Sequence, residues 1–124
     1  MIEVNLKHQT PNDAKPVLQA VLSLFDGISC GQIALERAGY EVRQYFASEI
    51  KPHAIKCTQS NYPNTIQLGS VLNVKGRDLP KIDLLIGGSP CKGISRLNKN
   101  QEGLEHAESK LFWEYIRLLE EVKP

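Results

Sequence analysis

The sequence predicts an α/β protein in which a parallel sheet is flanked by helices. Compact apolar and β-branched runs alternate with segments of helical composition from residue 17 to the end of the chain. Glycine, proline and asparagine stand at several of the junctions, where one element has to end before the next begins. Because strands that alternate with helices are joined by crossover connections, we expect these strands to run in the same direction.

Four strands and three helices account for this alternation. The first strand is the apolar run at residues 17–25, which ends at Asp26 and Gly27. A helix at residues 31–38 follows, and it is expected to stop at Gly39 because glycine is a usual C-terminal cap. The other predicted elements are strands at residues 42–48, 65–68 and 82–86, a helix from Pro52 to about residue 60, and a final helix at residues 111–122.

The two ends of the chain differ in character. Residues 1–16 are polar, contain two prolines and show no periodicity, so they are predicted to form an N-terminal arm. Residues 17–124 are predicted to form the domain itself. In the final helix apolar residues recur at helical spacing, and Phe112, Trp113 and Tyr115 are expected to bury one face of it.

Composition limits the class of protein. The 124 residues suffice for one domain. The 15 basic and 14 acidic side chains give a net charge of +1, and a charge so close to zero does not indicate a polyanion-binding surface. Three cysteines without a CxxC pair and three scattered histidines predict neither a disulfide framework nor a metal site. The N-terminus lacks the apolar core of a signal peptide, and no apolar run is long enough to span a membrane. We therefore expect a cytoplasmic protein, or a nuclear one in a eukaryote, that is not secreted.

Three of the four predicted strands end in residues that can carry chemistry. These segments are residues 25–31, residues 48–49 and residues 87–91. In parallel α/β sheets ligands bind beyond the carboxyl ends of the strands. The sequence therefore predicts that the three segments face one crevice.

The glycine turn and the acid at the end of the second strand indicate a nucleotide. A turn around Gly27 lets backbone N–H groups approach a ligand, although a plain tight turn with a helix cap explains it equally well. An acid such as Glu49, about twenty residues further on, accepts hydrogen bonds from ribose hydroxyls in nucleotide-binding sheets. The alternative for Glu49 is a solvated or helix-capping acid ahead of Pro52. Together the two features favour an adenosine-containing ligand, and the lack of a full GxGxxG makes NAD less attractive.

Cys91 is the candidate nucleophile. It lies in a polar loop rich in glycine, where Lys92 and Arg96 would favour its thiolate form. A small buried thiol is the alternative, but the flanking glycines and proline would be unusual in a packed core. Of the other cysteines, Cys57 is expected to pack and Cys30 to belong to the turn.

Four ordered segments resemble the DNA (cytosine-5) methyltransferases. They are residues 24–31 (LFDGISCG), 48–50 (SEI), 69–71 (GSV) and 87–91 (GGSPC), and their order and spacing agree with the family from Val21 to Pro124. The nearer likeness is to the de novo animal type and to bacterial and phage enzymes, some of which serve restriction–modification. The resemblance implies a Rossmann-like, S-adenosylmethionine-dependent methyltransferase fold with a truncated parallel sheet and helices on both faces.

The resemblance also implies roles for individual residues. S-adenosylmethionine would be the cofactor, with Glu49 on its ribose and Ile50 over one face of its adenine. Cys91 would attack C6 of a cytosine flipped from duplex DNA, so that C5 can take the methyl group. The other implied cofactor contacts are Phe25, Asp26, Gly27, Ile28, Ser29, Cys30, Gly31, Ser70, Val71, Pro90 and Leu111. Three basic residues after Cys91 are candidates for contacts with DNA phosphates, although charges in a loop are usually only solvated: Lys92, Arg96 and Lys99. Ser95, which is similar to the family's loop at this place, is a further candidate DNA contact.

The chain departs from the family pattern in composition and in extent. Ser70 stands where the family usually has an aspartate that contacts the adenine amino group, and Ser29 and Cys30 replace glycines of many members. The family's catalytic glutamate and target-recognition region would lie beyond Pro124. Residues 17–124 are thus expected to be a partial catalytic domain that needs a C-terminal half for activity. An open edge on the fourth strand would suit a complementing subunit or a homodimer.

Two other functions stay open at this stage. The chain could be a catalytically inactive remnant of such an enzyme that binds a nucleotide or a protein. It could also be a small redox protein that uses Cys91, although no resolving cysteine lies nearby in the sequence.

Overall fold

A four-stranded parallel sheet is the centre of the computed structural model, which describes residues 14–90 and 109–124. Strand β1 is Val17–Leu24, β2 is Glu41–Ser48, β3 is Ile66–Gln67 and β4 is Leu84–Gly87. Their order across the sheet is β3-β2-β1-β4, and every neighbouring pair is parallel. The chain thus starts in the middle of the sheet, adds two strands on one side and then crosses to the other.

The helices of the described residues are α1 at Cys30–Arg37, α2 at Pro52–Asn61 and α3 at Leu111–Val122. Two 3-10 turns, Val71–Asn73 and Gly76–Asp78, lie between β3 and β4 and were not predicted. Every predicted helix and strand is present, with bounds that differ by at most two residues. The first strand stops before Phe25 because that residue takes a positive φ of 55°, which a strand cannot accommodate.

Alternate side chains of the strands are buried on opposite faces of the sheet. On one face Leu22 and Leu24 of β1 pack in a cluster with Leu118 of α3. On the other face Val21 belongs to a second cluster, against which Leu35 of α1 packs. This period of two places helices on both faces and confirms the predicted α/β fold with a parallel sheet.

Helix α3 is less completely covered than its sequence suggested. Tyr115 packs against the core cluster as expected, but Phe112 is 38% exposed and Trp113 is 53% exposed, so the prediction was wrong for these two. The side chains of α3 that pack against the core lie on one face of the helix, the face that includes Leu111. Successive residues of a helix are rotated by about 100°, so Phe112 and Trp113 point away from that face. The two exposed rings instead contact each other edge to face, with centroids 5.4 Å apart.

Among residues 14–90 and 109–124, β4 pairs with β1 alone, so its other edge is unpaired there. Residues 1–13 of the predicted arm lie outside the described residues, so the arm stays a prediction. Nowhere in the described part does a helix have the length and apolar character needed to cross a membrane.

Candidate functional site

The carboxyl ends of β1, β2 and β4 meet at one edge of the sheet. Leu24, the last residue of β1, lies opposite Ser48 at the end of β2 and opposite Gly87 at the end of β4. The three segments that follow these strands therefore leave the sheet side by side. We call this edge the rim, defined by residues 25–31, 48–50, 69–71 and 87–90.

The turn at the start of the rim has an unusual backbone. Phe25, Gly27 and Ser29 all take a left-handed conformation, with φ of 55°, 61° and 67°. For residues other than glycine this conformation costs about 1–2 kcal/mol each, so other interactions must hold the turn. Among the described residues nothing lies within 4 Å of a Cβ added to Gly27, so no described atom blocks the approach of a ligand to the backbone there.

Glu49 ties the end of β2 to this turn. Its Oε1 accepts a hydrogen bond from the Gly27 N–H at 2.8 Å, and its Oε2 accepts from the N–H groups of Ile50 at 2.8 Å and Lys51 at 3.1 Å. Burial by itself raises the pKa of Glu49, but the three backbone donors outweigh it and leave the pKa below its ordinary value. The turn and the acid thus meet as predicted. Glu49 also accepts hydrogen bonds from the N–H groups of the two residues just ahead of α2, which is what its alternative interpretation as a helix-capping acid predicts.

A hydrogen-bond network behind the turn holds it against the sheet. The buried Tyr45 hydroxyl donates to Oδ1 of Asp26 at 2.8 Å, and the buried Ser29 hydroxyl donates to Oδ2 of the same carboxylate. Gln32 donates from Nε2 to the Ser29 Oγ at 3.0 Å and to the Thr65 Oγ1 at 2.7 Å. No local pattern in the sequence indicates a role for Tyr45, Gln32 or Thr65, because only the folded chain brings them to the turn.

Cys30 and Gly31 begin α1 directly behind the turn. A Cβ at Gly31 would lie 2.7 Å from Cδ1 of Ile86 and 2.7 Å from the Tyr45 hydroxyl, so the helix start packs tightly on the sheet. Cys30 is exposed, whereas Cys57 on α2 is half-buried, which agrees with its expected packing role. Within the described ranges no three His, Cys, Asp or Glu side chains come together as a metal ion would require.

The segment after β3 forms the second side of the rim. The Ser48 hydroxyl donates to the Gly69 carbonyl at 2.8 Å, which holds Gly69 next to the end of β2. The Ser70 Oγ accepts a hydrogen bond from the Leu72 N–H at 3.3 Å and so caps the first 3-10 turn, while Val71 is buried. Ile50, two residues after the end of β2, is 68% exposed, so its apolar side chain is uncovered at the rim.

The segment after β4 forms the third side. Gly87 has a φ of 152°, and a Cβ there would lie only 2.3 Å from the Leu24 carbonyl oxygen. Ser89 and Pro90 are half-buried, and Pro90 is the last described residue of this segment. Leu111, the first residue of α3, packs against the same core cluster as Phe25. The remaining predicted residues, Cys91, Lys92, Ser95, Arg96 and Lys99, lie outside the described residues.

A groove of about 560 Å³ lies between α3 and the two 3-10 turns. Its lining contains none of the residues expected to contact the cofactor, although Leu72 directly follows Val71. We therefore assign the candidate site to the rim. The groove is lined by Leu72, Val74, Lys75, Arg77, Arg117 and Glu121.

Comparison with known proteins places the chain in a family. The C-5 cytosine-specific DNA methylase family matches residues 19–124. The orphan methyltransferase M.Rho11sI of Bacillus phage rho11s is 38% identical over 106 residues, which cover 84% of this chain and 21% of the phage protein. The DNA (cytosine-5)-methyltransferase DRM2 of Oryza sativa subsp. japonica is 32% identical over 117 residues, which cover 83% of this chain and 19% of the rice protein.

Solved structures agree with the sequence matches. A DNA modification methyltransferase encoded within an E. coli prophage is 27% identical and aligns with a TM-score of 0.65 over 86% of this chain and 30% of its own. The S. pombe Dnmt2 methyltransferase, at 18% identity, shares the fold with a TM-score of 0.62 over 86% of this chain and 30% of its own. The chain spans about a fifth of the length of the phage and rice relatives. Because the family match covers most of its residues, the chain belongs to the C-5 cytosine-specific DNA methylase family.

Proposed function

We propose that this chain forms the cofactor-binding and nucleophile part of an enzyme that methylates cytosine at C5 in duplex DNA. The observation that carries the proposal is the hydrogen bond from the Gly27 N–H to Oε1 of Glu49. It joins the glycine turn and the acid at one rim, which is the arrangement that a nucleoside cofactor needs.

The residues of the rim fit S-adenosylmethionine, the cofactor of C5 DNA methyltransferases. A carboxylate has about four lone-pair sites, and Glu49 uses one on Oε1 and two on Oε2 for backbone donors. Oε1 therefore keeps a site for one ribose hydroxyl, and the lowered pKa of Glu49 keeps it an acceptor at neutral pH. The open space at Gly27 suits the sugar and methionine portion, and the exposed side chain of Ile50 suits one face of the adenine. Ser70 and Val71 are assigned to the edge of the adenine, because the Ser48 hydroxyl holds the neighbouring Gly69 beside the end of β2.

Asp26 and Ser29 act on the cofactor through the shape of the turn. Both oxygens of the Asp26 carboxylate accept hydrogen bonds from protein hydroxyls, and Ser29 is fully buried. We therefore assign these two side chains to holding the left-handed turn. The backbone of residues 25–31 is then what faces the methionine and ribose.

Cys91 is proposed as the nucleophile. When bound, S-adenosylmethionine supplies an electrophilic methyl group on sulfur. The Cys91 thiolate would add to C6 of a cytosine turned out of the duplex, and this addition would make C5 nucleophilic enough to take that methyl group as its bond to sulfur breaks and S-adenosylhomocysteine is left. Loss of the C5 proton then expels the thiolate and restores the ring. The parallel pairing of β4 with β1 supports this role, because Pro90, the residue before Cys91, follows β4 at the rim.

Calorimetric titration with S-adenosylhomocysteine tests the cofactor site. We expect the chain to bind it, Glu49→Ala to weaken binding at least tenfold, and Glu120→Ala, an exposed acid on α3, to leave binding unchanged. Absence of binding by the wild-type chain, or equal affinities of the two variants, would contradict the proposal.

Methyl transfer tests the nucleophile. The chain is mixed with labelled S-adenosylmethionine and a cytosine-containing duplex, alone and with a polypeptide that carries the remaining regions of the phage relative. We expect transfer only in the mixture, and none with Cys91→Ser. Turnover by the chain alone would refute the need for a complement. Cofactor binding without transfer in either case would instead support an inactive nucleotide-binding protein.

The edge of β4 is proposed as the site of a complementing subunit or of a second copy of the chain. Within the described residues this strand pairs with β1 alone, and an unpaired edge offers backbone donors and acceptors to another strand. Sedimentation at micromolar concentration should show association. A monomer both alone and with the complementing polypeptide would contradict this part of the proposal.

A further inference from the structure

Arg117 joins α3 to the segment that carries the proposed adenine contacts. Its Nη2 donates hydrogen bonds to the carbonyl oxygens of Val71 at 3.1 Å and Val74 at 3.0 Å. Its Nε donates to Glu114 at 2.7 Å and its Nη1 to Glu121 at 2.8 Å. The carboxylates of Glu114 and Glu121 thus fix the orientation of the guanidinium. The guanidinium in turn binds the carbonyl oxygens of Val71 and Val74.

Glu121 reinforces the same connection. Its Oε2 accepts a hydrogen bond from the Gly76 N–H at 2.6 Å. A Cβ at Gly76 would lie 2.6 Å from the Glu121 Cβ, so the backbone of the second 3-10 turn approaches α3 closely. This bond and Arg117 hold the pKa of Glu121 below its ordinary value. Two carbonyls and one amide of residues 71–76 are thus bonded to side chains of α3.

The Val71 carbonyl and the Leu72 N–H belong to the same peptide unit, and opposite edges of that unit are held by two side chains. Arg117 donates to its carbonyl, and the Ser70 Oγ accepts from its N–H at 3.3 Å. A peptide unit is planar and rigid, so its orientation is transmitted from one edge to the other. The 3-10 turn is only three residues long and lies outside the sheet, so it depends on such bonds for its conformation.

We propose that Arg117 is a positioning residue that sets the preference of the cofactor site for adenine, by fixing the Val71–Leu72 peptide unit and through it the Ser70 hydroxyl. This inference rests on the proposed function, which places Ser70 and Val71 at the adenine edge. Arg117 itself touches no ligand in this scheme.

The test compares two ligands that differ in the base alone. S-adenosylhomocysteine and S-inosylhomocysteine, in which hypoxanthine replaces adenine, are titrated calorimetrically into the full 124-residue chain and its variants. Arg117→Met keeps the length of the side chain and removes its donors. Arg77→Met is the matched control, because Arg77 lines the same groove and carries the same charge but is highly exposed.

Arg117→Met should weaken binding of S-adenosylhomocysteine about tenfold and bring the ratio of the two affinities close to one. Arg77→Met should leave both affinities unchanged. Arg117→Lys keeps one charged donor but not the planar guanidinium, so it should give an intermediate ratio of the two affinities. This variant replaces Arg117→Met in the test if circular dichroism shows that the methionine variant does not fold.

A purely structural role for Arg117 predicts a different result. In that case both affinities fall by the same factor and their ratio stays at the wild-type value, which would overturn the inference while leaving the proposed function intact. Absence of binding by the wild-type chain would contradict the proposed function and the inference together.

Discussion

The Tyr45 hydroxyl donates a hydrogen bond to Oδ1 of Asp26 over 2.8 Å, so a residue of β2 supports the turn that follows β1. Burial raises the pKa of Tyr45, and the phenol therefore remains a neutral donor at neutral pH. Asp26 is part of the glycine turn, whose Phe25 and Ser29 are held at positive φ. The shape of the proposed cofactor site thus depends on a hydroxyl 19 residues away.

Replacing Tyr45 by phenylalanine should destabilise the chain. The ring still fills its place in the core, but the Asp26 carboxylate loses a donor, which for a charged acceptor costs about 1–3 kcal/mol of unfolding free energy. Urea denaturation measures this loss, and affinity for S-adenosylhomocysteine should fall with it. Tyr40→Phe is the control, because Tyr40 is 41% exposed. Equal stabilities of the two variants would contradict the supporting role of Tyr45.

Replacement by alanine should lower the free energy of unfolding much more at Gly87 than at Gly88. A Cβ at Gly87 would lie 2.3 Å from the Leu24 carbonyl oxygen, and its φ of 152° is a conformation that other residues rarely adopt. The obstacle is backbone inside the sheet, so Gly87→Ala should cost about 3 kcal/mol or more of unfolding free energy. No atom of residues 14–90 or 109–124 lies within 4 Å of a Cβ at Gly88, so Gly88→Ala should change stability by less than about 1 kcal/mol.

Urea denaturation of the two glycine variants makes the comparison. A stable Gly87→Ala chain would mean that β4 does not approach β1 as closely as described. A large loss for Gly88→Ala would mean that space around this residue is restricted by something outside the described residues.

The fold and the meeting of Gly27 with Glu49 could be predicted because both follow from local patterns. Apolar runs bounded by glycine and proline indicate buried strands, and parallel strands bring their carboxyl ends to one edge. Once the strands are in order, Glu49 must lie beside the turn after β1. The Gly27–Glu49 hydrogen bond confirms that part of the prediction.

Arg117 shows why the rest could not be predicted. Its spacing from Glu114 and Glu121 is that of ion pairs on an exposed helix face, which usually contribute little. Only the tertiary structure brings the carbonyls of Val71 and Val74, more than 40 residues away, within reach of the same guanidinium. The positive φ of Phe25 is a second feature that the sequence does not predict, because phenylalanine has no preference for that conformation.

Glu49 should make stability depend on pH in the acid range. Its pKa is lowered from an ordinary value of 4.5, so the ionised carboxylate stabilises the folded chain. That contribution is fully present above pH 4.5 and is lost as the pH falls through the lower, folded-state pKa. Glu49→Gln should therefore be less stable than the wild type at pH 7, and the difference should shrink as the pH is lowered below 4.5.

Urea denaturation of both chains between pH 3 and pH 7 measures this difference. Glu120→Gln is the control, since Glu120 is exposed on α3. A stability difference for Glu49→Gln that stays constant over this range would show that the charge of Glu49 does not contribute.

Ser70→Asp should strengthen cofactor binding. Ser70 caps the first 3-10 turn by accepting from the Leu72 N–H, and an aspartate oxygen can accept the same hydrogen bond. The second carboxylate oxygen then becomes available to the amino group of adenine, which lies at this edge in the proposed site. A hydrogen bond to a charged acceptor contributes about 1.5–3 kcal/mol, so affinity for S-adenosylhomocysteine should rise about tenfold or more.

Calorimetric titration of Ser70→Asp and Ser70→Asn separates charge from capping. Asparagine can keep the cap without the negative charge, so its gain should be smaller. The preference for S-adenosylhomocysteine over S-inosylhomocysteine should also widen in the aspartate variant, because hypoxanthine has no amino group to donate. If Ser70→Asp binds both ligands as the wild type does, the adenine edge does not lie at Ser70 and the orientation proposed for the cofactor is wrong.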